Sequence, residues 1–300
     1  METEKRLNFV NLTRFDYKKP GTPDETLQTE GIKIQSTSFK ENGNIIRDVH
    51  YNNAGKEEEV IEYKYDGQGN LTEEQLYHAA DDFSETRTYE RNESGLLLSE
   101  KLHYLDGSAD ETSYLYDEAG NVREKIVRDD EGSIEREERY LWNETGQLLE
   151  ENHFEYGEPV YSAKNIMNDR GLVIESNRWQ QDEGHSQTLT EYDSEGRRKE
   201  ILHHNAAGKL VERAEFVYDE KGRIAELEEE NVRSYKKTVF GYDENDNIIE
   251  QKEFDENDVL VSTVFRTFEN KRIIQSEVTI MGAEENMTQK YLIKYEYGNC

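Results

Sequence analysis

The sequence predicts an all-β protein, an antiparallel meander of about 20 strands made from tandem repeats of about 25 residues. Three observations predict it: a glycine turn that recurs at a fixed period, alternating polar and apolar segments between turns, and a chain rich in aromatics but poor in proline. Twist accumulates along so long a sheet, so it is expected to coil into a curved or spiral repeat sheet.

The period comes first. Turn glycines fall at Gly43, Gly69, Gly95, Gly120, Gly146, Gly171, Gly196 and Gly222, and Asp246 takes the ninth place. The steps are 26, 26, 25, 26, 25, 25, 26 and 24 residues. A second turn series, Gly55, Gly107, Gly132, Gly184, Gly208 and Asp258, lies between these. The segments between turns are too short for helices of several turns, and they alternate in the manner of strands. One repeat cannot bury its own face, so stability is expected to come from stacking, with both ends capped.

In chain order, residues 1–40 are off-pattern and read as an N-terminal cap, with a proline-bearing loop over 18–31. Residues 41–275 read as the repeat array, and 276–300 as C-terminal closing strands. Within a repeat such as Tyr114–Val127, Asp117 opens a type I turn and Gly120 takes the left-handed position of a G1 bulge. Tyr116 is then expected to face Val122, and continued alternation puts Tyr114, Tyr116, Val122 and Glu124 on one face. That aromatic face is the expected buried or concave one. Tyr116, Trp142, Tyr192, Tyr218 and Tyr242 would form a column with neighbours about 9–10 Å apart.

Composition limits what such a sheet can do. Only 33% of residues are apolar and mean hydropathy is −1.05, so the core is expected to be thin. The 67 acidic residues outnumber 37 basic ones, for a net charge of −30. That charge repels nucleic-acid phosphates and anionic lipid, so no direct nucleic-acid or membrane binding is expected. A protein partner is expected, and a basic one fits the charge. Cys300 is the only cysteine, which excludes an intrachain disulfide and a cysteine zinc site. The N-terminal stretch has no signal-peptide core and no run approaches a membrane span. The cytoplasm is the expected location, with signal-independent export the alternative.

No catalytic, cofactor or metal motif occurs. The adjacent His203 and His204 point to opposite faces of a strand and cannot chelate one ion together. His103 and His204 fall in an aromatic column with Tyr51, Tyr77, Phe154, Trp179 and Phe254. The segment Asp243–Asn247 lacks the glycine and glutamate of a calcium loop and reads as a repeat turn. The feature that folding explains least is a column four residues past the turn: Glu73, Glu124, Glu150, Glu175, Glu200, Glu226 and Glu250. These carboxylates are either acceptors for cross-strand Tyr and partners of Lys or Arg, or the acidic stripe of a binding surface. With Tyr116, Trp142, Trp179 and Tyr218 they form the candidate binding surface.

The motif of an aromatic, Asp or Asn, two variable residues, Gly, a polar residue and an aliphatic recurs at YDGQGNL, YDEAGNV, WNETGQL and YDEKGRI. It resembles the YD repeat of RHS-type proteins over residues of about 40 to 270. In that family long arrays form a spiral β-sheet wall that often encloses the toxin of a bacterial polymorphic toxin, or act in adhesion. Nothing after Phe268 resembles the closing motif of the toxin-bearing members, so the resemblance implies a short stand-alone relative without a toxin domain. A looser resemblance, through YNNAGK at Tyr51, is to bacterial repeat antitoxins.

The expectation is therefore a non-catalytic β-repeat scaffold that binds another protein, linked to a bacterial polymorphic toxin or secretion system. The alternatives are an acidic immunity protein or nucleic-acid mimic that blocks a basic nuclease, and a carbohydrate-binding module.

Overall fold

The computed structural model describes residues 7–79, 83–282 and 287–299; Cys300 lies outside them. The described residues form 23 strands of one hydrogen-bonded sheet. They are β1 (Leu7–Lys18), β2 (Thr26–Leu27), β3 (Ile32–Phe39), β4 (Ile45–Tyr51), β5 (Glu57–Tyr65), β6 (Leu71–His78), β7 (Phe83–Arg91) and β8 (Leu97–His103). There follow β9 (Ala109–Tyr116), β10 (Val122–Arg128), β11 (Ile134–Trp142), β12 (Leu148–Glu155), β13 (Glu158–Met167), β14 (Val173–Gln180), β15 (Gly184–Tyr192) and β16 (Arg198–His204). The rest are β17 (Leu210–Tyr218), β18 (Ile224–Asn231), β19 (Tyr235–Tyr242), β20 (Ile248–Phe254), β21 (Leu260–Glu269), β22 (Arg272–Ile280) and β23 (Gln289–Asn299).

The chain divides into two compact units, Met1–Ser84 with Tyr218–Leu227 and Tyr235–Cys300, and Glu85–Val217 with Glu228–Ser234. In the second unit each strand from β7 to β17 pairs antiparallel with the next. In the first unit β3 to β6 and β19 to β23 pair the same way.

Pairing of the chain ends corrects the expected curved or spiral array. Strand β1 lies between β3 and β23, antiparallel to both, and β2 is a two-residue appendage on β1. The first and last strands are therefore neighbours, and the strand order closes on itself: 22 strands among the described residues, with β2 outside the series. The physical reason is edge chemistry. An open array leaves a row of unpaired N–H and C=O groups on each terminal strand, and pairing β1 with β23 removes both rows. Buried Leu292 opposite Phe15 anchors this seam. Lys290 pairs with Glu25 at 2.8 Å, and the Tyr17 hydroxyl donates to Glu277 at 2.7 Å.

The turn chemistry follows from Asp and Gly. Gly120 N–H donates to Asp117 C=O at 3.1 Å, and Asp117 N–H donates to Asn121 C=O at 2.9 Å. The Asp117 carboxylate accepts from the Ala119 and Asn121 N–H groups at 2.9 and 2.8 Å. Gly120 has φ +87°, a region that costs other residues roughly 1–2 kcal/mol. Only Val49, Val60, Val127, Ala163 and Leu292 are buried apolar residues among those described. So thin a core leaves cohesion to the ladders and to the contacts between successive hairpins.

Candidate interaction face

Each hairpin ladder carries a second irregularity just beyond the turn. On β9 and β10, Tyr116 faces Val122, but Leu115 faces Glu124 and Tyr114 faces Lys125. Two residues advance on β10 for one on β9, so Arg123 is inserted as a bulge. The same insertion occurs at Thr72, Leu149, Ile174, Lys199 and Ile249. A one-residue insertion reverses which side chains share a face. The expectation that the Glu column shares the aromatic face is thereby overturned. Glu73 lies opposite Lys64, Glu124 opposite Leu115, Glu150 opposite Leu141, Glu175 opposite Ile166, Glu200 opposite Glu191 and Glu250 opposite Gly241. The aromatics face the other way.

The aromatics have a different task from the one expected. The ladder between successive hairpins begins only at the Glu-column position, for example Glu124 with Arg139. The carbonyl two residues earlier is left outside that ladder, and an unmade backbone bond is costly. The aromatic of the next hairpin fills it. Trp142 Nε1–H donates to Val122 C=O at 2.7 Å, Tyr116 OH to Leu97 C=O at 2.7 Å and Tyr192 OH to Val173 C=O at 2.9 Å. In the first unit Tyr65, Tyr242 and Tyr297 do the same to Ile45, Ile224 and Ile273, each at 2.7 Å. Tyr116 and Trp142 are thus latches between repeats; Tyr218 ends β17 at the equivalent place.

The carboxylates, on their own face, meet cations and amides. In the second unit Glu150 pairs with Lys164 at 2.6 Å and Glu200 with Arg213 at 2.7 Å. Glu175 accepts from Asn177 Nδ2 at 2.7 Å and from Gln187 Nε2 at 3.0 Å. Glu124 lies 3.8 Å from Arg139, and a hydrogen bond shared with the Glu137 carboxyl, then burial, holds its carboxyl above the usual range. In the first unit Glu73 pairs with Lys64 at 2.6 Å and Glu250 with Lys252 at 2.7 Å. Lys237, held high first by its bond to Asp258, also feels the charge of Glu226.

Two features of this face were missed from the sequence. One is the residue opposite three of the carboxylates, Glu124, Glu150 and Glu175: Leu115, Leu141 and Ile166 are 43%, 51% and 42% exposed. The other is a groove of about 790 Å³ over β12–β16, which Trp179 lines. It opens on the Glu-column face rather than on the aromatic face expected to be concave. Some histidines are tied to neighbours: His103 to Thr88 at 2.9 Å, His203 to Thr188 at 3.0 Å and His153 to Glu151 at 2.6 Å. Asp246 has φ +64° and pairs with Arg223 at 2.5 Å, so Asp243–Asn247 is a repeat turn. Among the described residues no group of three or more His, Cys, Asp or Glu is placed to hold a metal ion. No helix among them is long and apolar enough to cross a membrane, which says nothing of strands.

No protein-family model and no curated protein matches the chain. Among solved structures, the chain is similar to the Tc holotoxin pore of Photorhabdus luminescens, at 10% identity and a TM-score of 0.44. That likeness covers 91% of this chain but 16% of the other. A porin-like protein from Bacteroides uniformis is similar at 9% identity and a TM-score of 0.35, covering 97% and 96% of the two chains.

Proposed function

We propose that the protein is a non-catalytic scaffold that binds another protein through its Glu-column face. The observation that carries this reading is the pairing of exposed aliphatics with carboxylates in three consecutive hairpins of the second unit: Leu115 with Glu124, Leu141 with Glu150 and Ile166 with Glu175. Exposed apolar residues repeated in register mark an interaction surface better than scattered ones do. The carboxylates add a sign: with a net charge of −30, the fitting partner presents an apolar ridge flanked by Lys and Arg. The ion pairs that Glu124 and Glu150 make now are partly exposed, worth at most about 1 kcal/mol each, and can be exchanged for a partner's cations. A periodic row of carboxylates also suits a repeated contact better than a single reaction centre, which needs one irregular constellation.

The resemblance of the repeat signature to YD repeats supports a setting beside a bacterial toxin or secretion system. The partner is to be sought by copurification from the native host, identified by mass spectrometry and remade pure. Binding to that protein is then compared between the wild type and Leu115→Lys/Leu141→Lys/Ile166→Lys. The expected result is at least a tenfold weaker Kd, about 1.4 kcal/mol or more, with an unchanged melting temperature. Undiminished binding by the triple variant would falsify the assignment of this face, and a hydrolase activity abolished by one Glu substitution overturns the non-catalytic reading.

A further inference from the structure

The groove over β12–β16 differs in chemistry from the sheet around it. Charged residues are 35% of the chain, yet the groove face is mostly uncharged. One cross-strand row runs Asn152, Ser162, Trp179, His185. A second runs Glu150, Lys164, Asn177, Gln187, His204. Both rows lie on the Glu-column face. The lysine is neutralised by Glu150 at 2.6 Å. Arg178 also borders the groove, but its strand position belongs to the opposite face. What remains in the two rows is three amides (Asn152, Asn177 and Gln187), the Ser162 hydroxyl, two imidazoles (His185 and His204) and the Trp179 indole.

The amides are held in place. Glu175, from the carboxylate column, accepts one N–H from Asn177 and one from Gln187. Each amide keeps its carbonyl oxygen and a second N–H for other bonds. Beside Gln187 in the same row, His204 Nδ1 is buried without a hydrogen-bond partner, an arrangement that costs roughly 1–3 kcal/mol. Trp179 stands between Ser162 and His185 and is only partly buried. The second row crosses five strands, about 19 Å, a span for several units of a chain ligand.

We propose that this groove binds a neutral oligosaccharide. The Trp179 indole packs against the C–H face of one sugar ring. Asn177 and Gln187, oriented by Glu175, exchange hydrogen bonds with the hydroxyls of its neighbours. A ligand with one apolar face and many uncharged donors and acceptors matches this lining. A charged ligand leaves its charge without a counter-ion there, and an apolar one leaves the amides unpaired. The groove shares Glu150 and Glu175 with the proposed protein-binding face but none of Leu115, Leu141 and Ile166, so Trp179 substitutions test the groove and the aliphatic substitutions test the face.

The test is a panel of neutral linear oligosaccharides (glucans, galactans and N-acetylglucosamine oligomers) beside anionic glycans and peptides, read at low and high salt. Any hit is followed by calorimetry. The expected result is binding of at least one neutral oligosaccharide that salt does not weaken. Trp179→Ala should weaken it about tenfold or more, Trp179→Phe by no more than about threefold, and Leu115→Lys, on a strand outside the groove, not at all. Glu175→Gln should weaken it with no change in melting temperature. Binding confined to anionic glycans or to peptides, an absence of neutral hits, or a neutral hit indifferent to Trp179→Ala each overturns the proposal.

Discussion

Two neighbouring hairpins of the second unit solve one problem with different residues. In β11–β12 the residue before the turn is Trp142, whose indole N–H fills the carbonyl of Val122. In β13–β14 that place is Met167, which has no donor. There Asn165, two residues earlier, donates through Nδ2 to the Leu148 carbonyl at 3.1 Å. The carbonyl is the constant and the donor is the variable. The recurring aromatic therefore serves less as core filler than as a donor on a rigid arm, with added packing such as Trp142 on Tyr140 at 6.3 Å.

Substitutions at the two latches separate the donor from the ring. Trp142→Ala removes the donor and the ring contacts and should cost about 3 kcal/mol in denaturant unfolding. Trp142→Phe removes the N–H and part of the ring system but keeps an aromatic in place, and should cost less, about 1–2 kcal/mol. Asn165→Leu should cost a similar amount, about 1 kcal/mol, and adding Met167→Tyr to it should restore most of the loss by supplying the usual latch. If Met167→Tyr has no such effect, the donor account fails and the aromatic acts through packing alone.

The smallest expected effect separates latch from turn. Both compared hairpins open their turn with Asn, at Asn143 and Asn168, so the difference between their latches should not vary between pH 7 and pH 4. Elsewhere the turn residue is Asp. Asp117 is held below the usual carboxylate range first by the Asn121 side chain, then by backbone N–H groups; Asp66 and Asp219 are lowered likewise. A depressed folded value means that this stabilisation is complete above the unfolded value, about 3.9, and is lost as pH falls through the folded one. Glu124 has the opposite sign: its raised value favours the fold below the unfolded pKa, an advantage lost as pH rises through the folded one. Asp117→Asn should therefore flatten the acid limb of a stability profile while leaving the Trp142→Phe difference unchanged.

The meander, its period and the Asp117–Gly120 turn were legible in the sequence because turns need particular residues: an acceptor at the first place and a left-handed conformer at the fourth. The second bulge was not legible. Among the described residues its inserted positions are Ile46, Thr72, Leu98, Arg123, Leu149, Ile174, Lys199, Ile249 and Ile274; six are Leu or Ile, as ordinary strand positions often are, and none carries the backbone demand that marks a turn glycine. Without it, alternation carries Glu124 onto the wrong face, and the exposed Leu115, Leu141 and Ile166 look like ordinary strand residues. The β1–β23 seam was hidden for another reason: β1 lies outside the repeat, and pairing between chain ends leaves no periodic mark. Asn177 and Gln187 stood out in no pattern, since a groove that departs from a repeat shows as irregularity alone.

The ladder register turns the Glu column away from the latches, and cysteine pairing across β11 and β12 reads that register out. In a Cys300→Ser background, Leu141→Cys/Glu150→Cys should form a disulfide under mild oxidation, because residues directly opposite in an antiparallel ladder lie within disulfide reach. Tyr140→Cys/Glu150→Cys should stay reduced, since Tyr140 faces Glu151. Efficient cross-linking of the second pair and not the first, read by intact mass, would place Glu150 on the aromatic face and contradict the account.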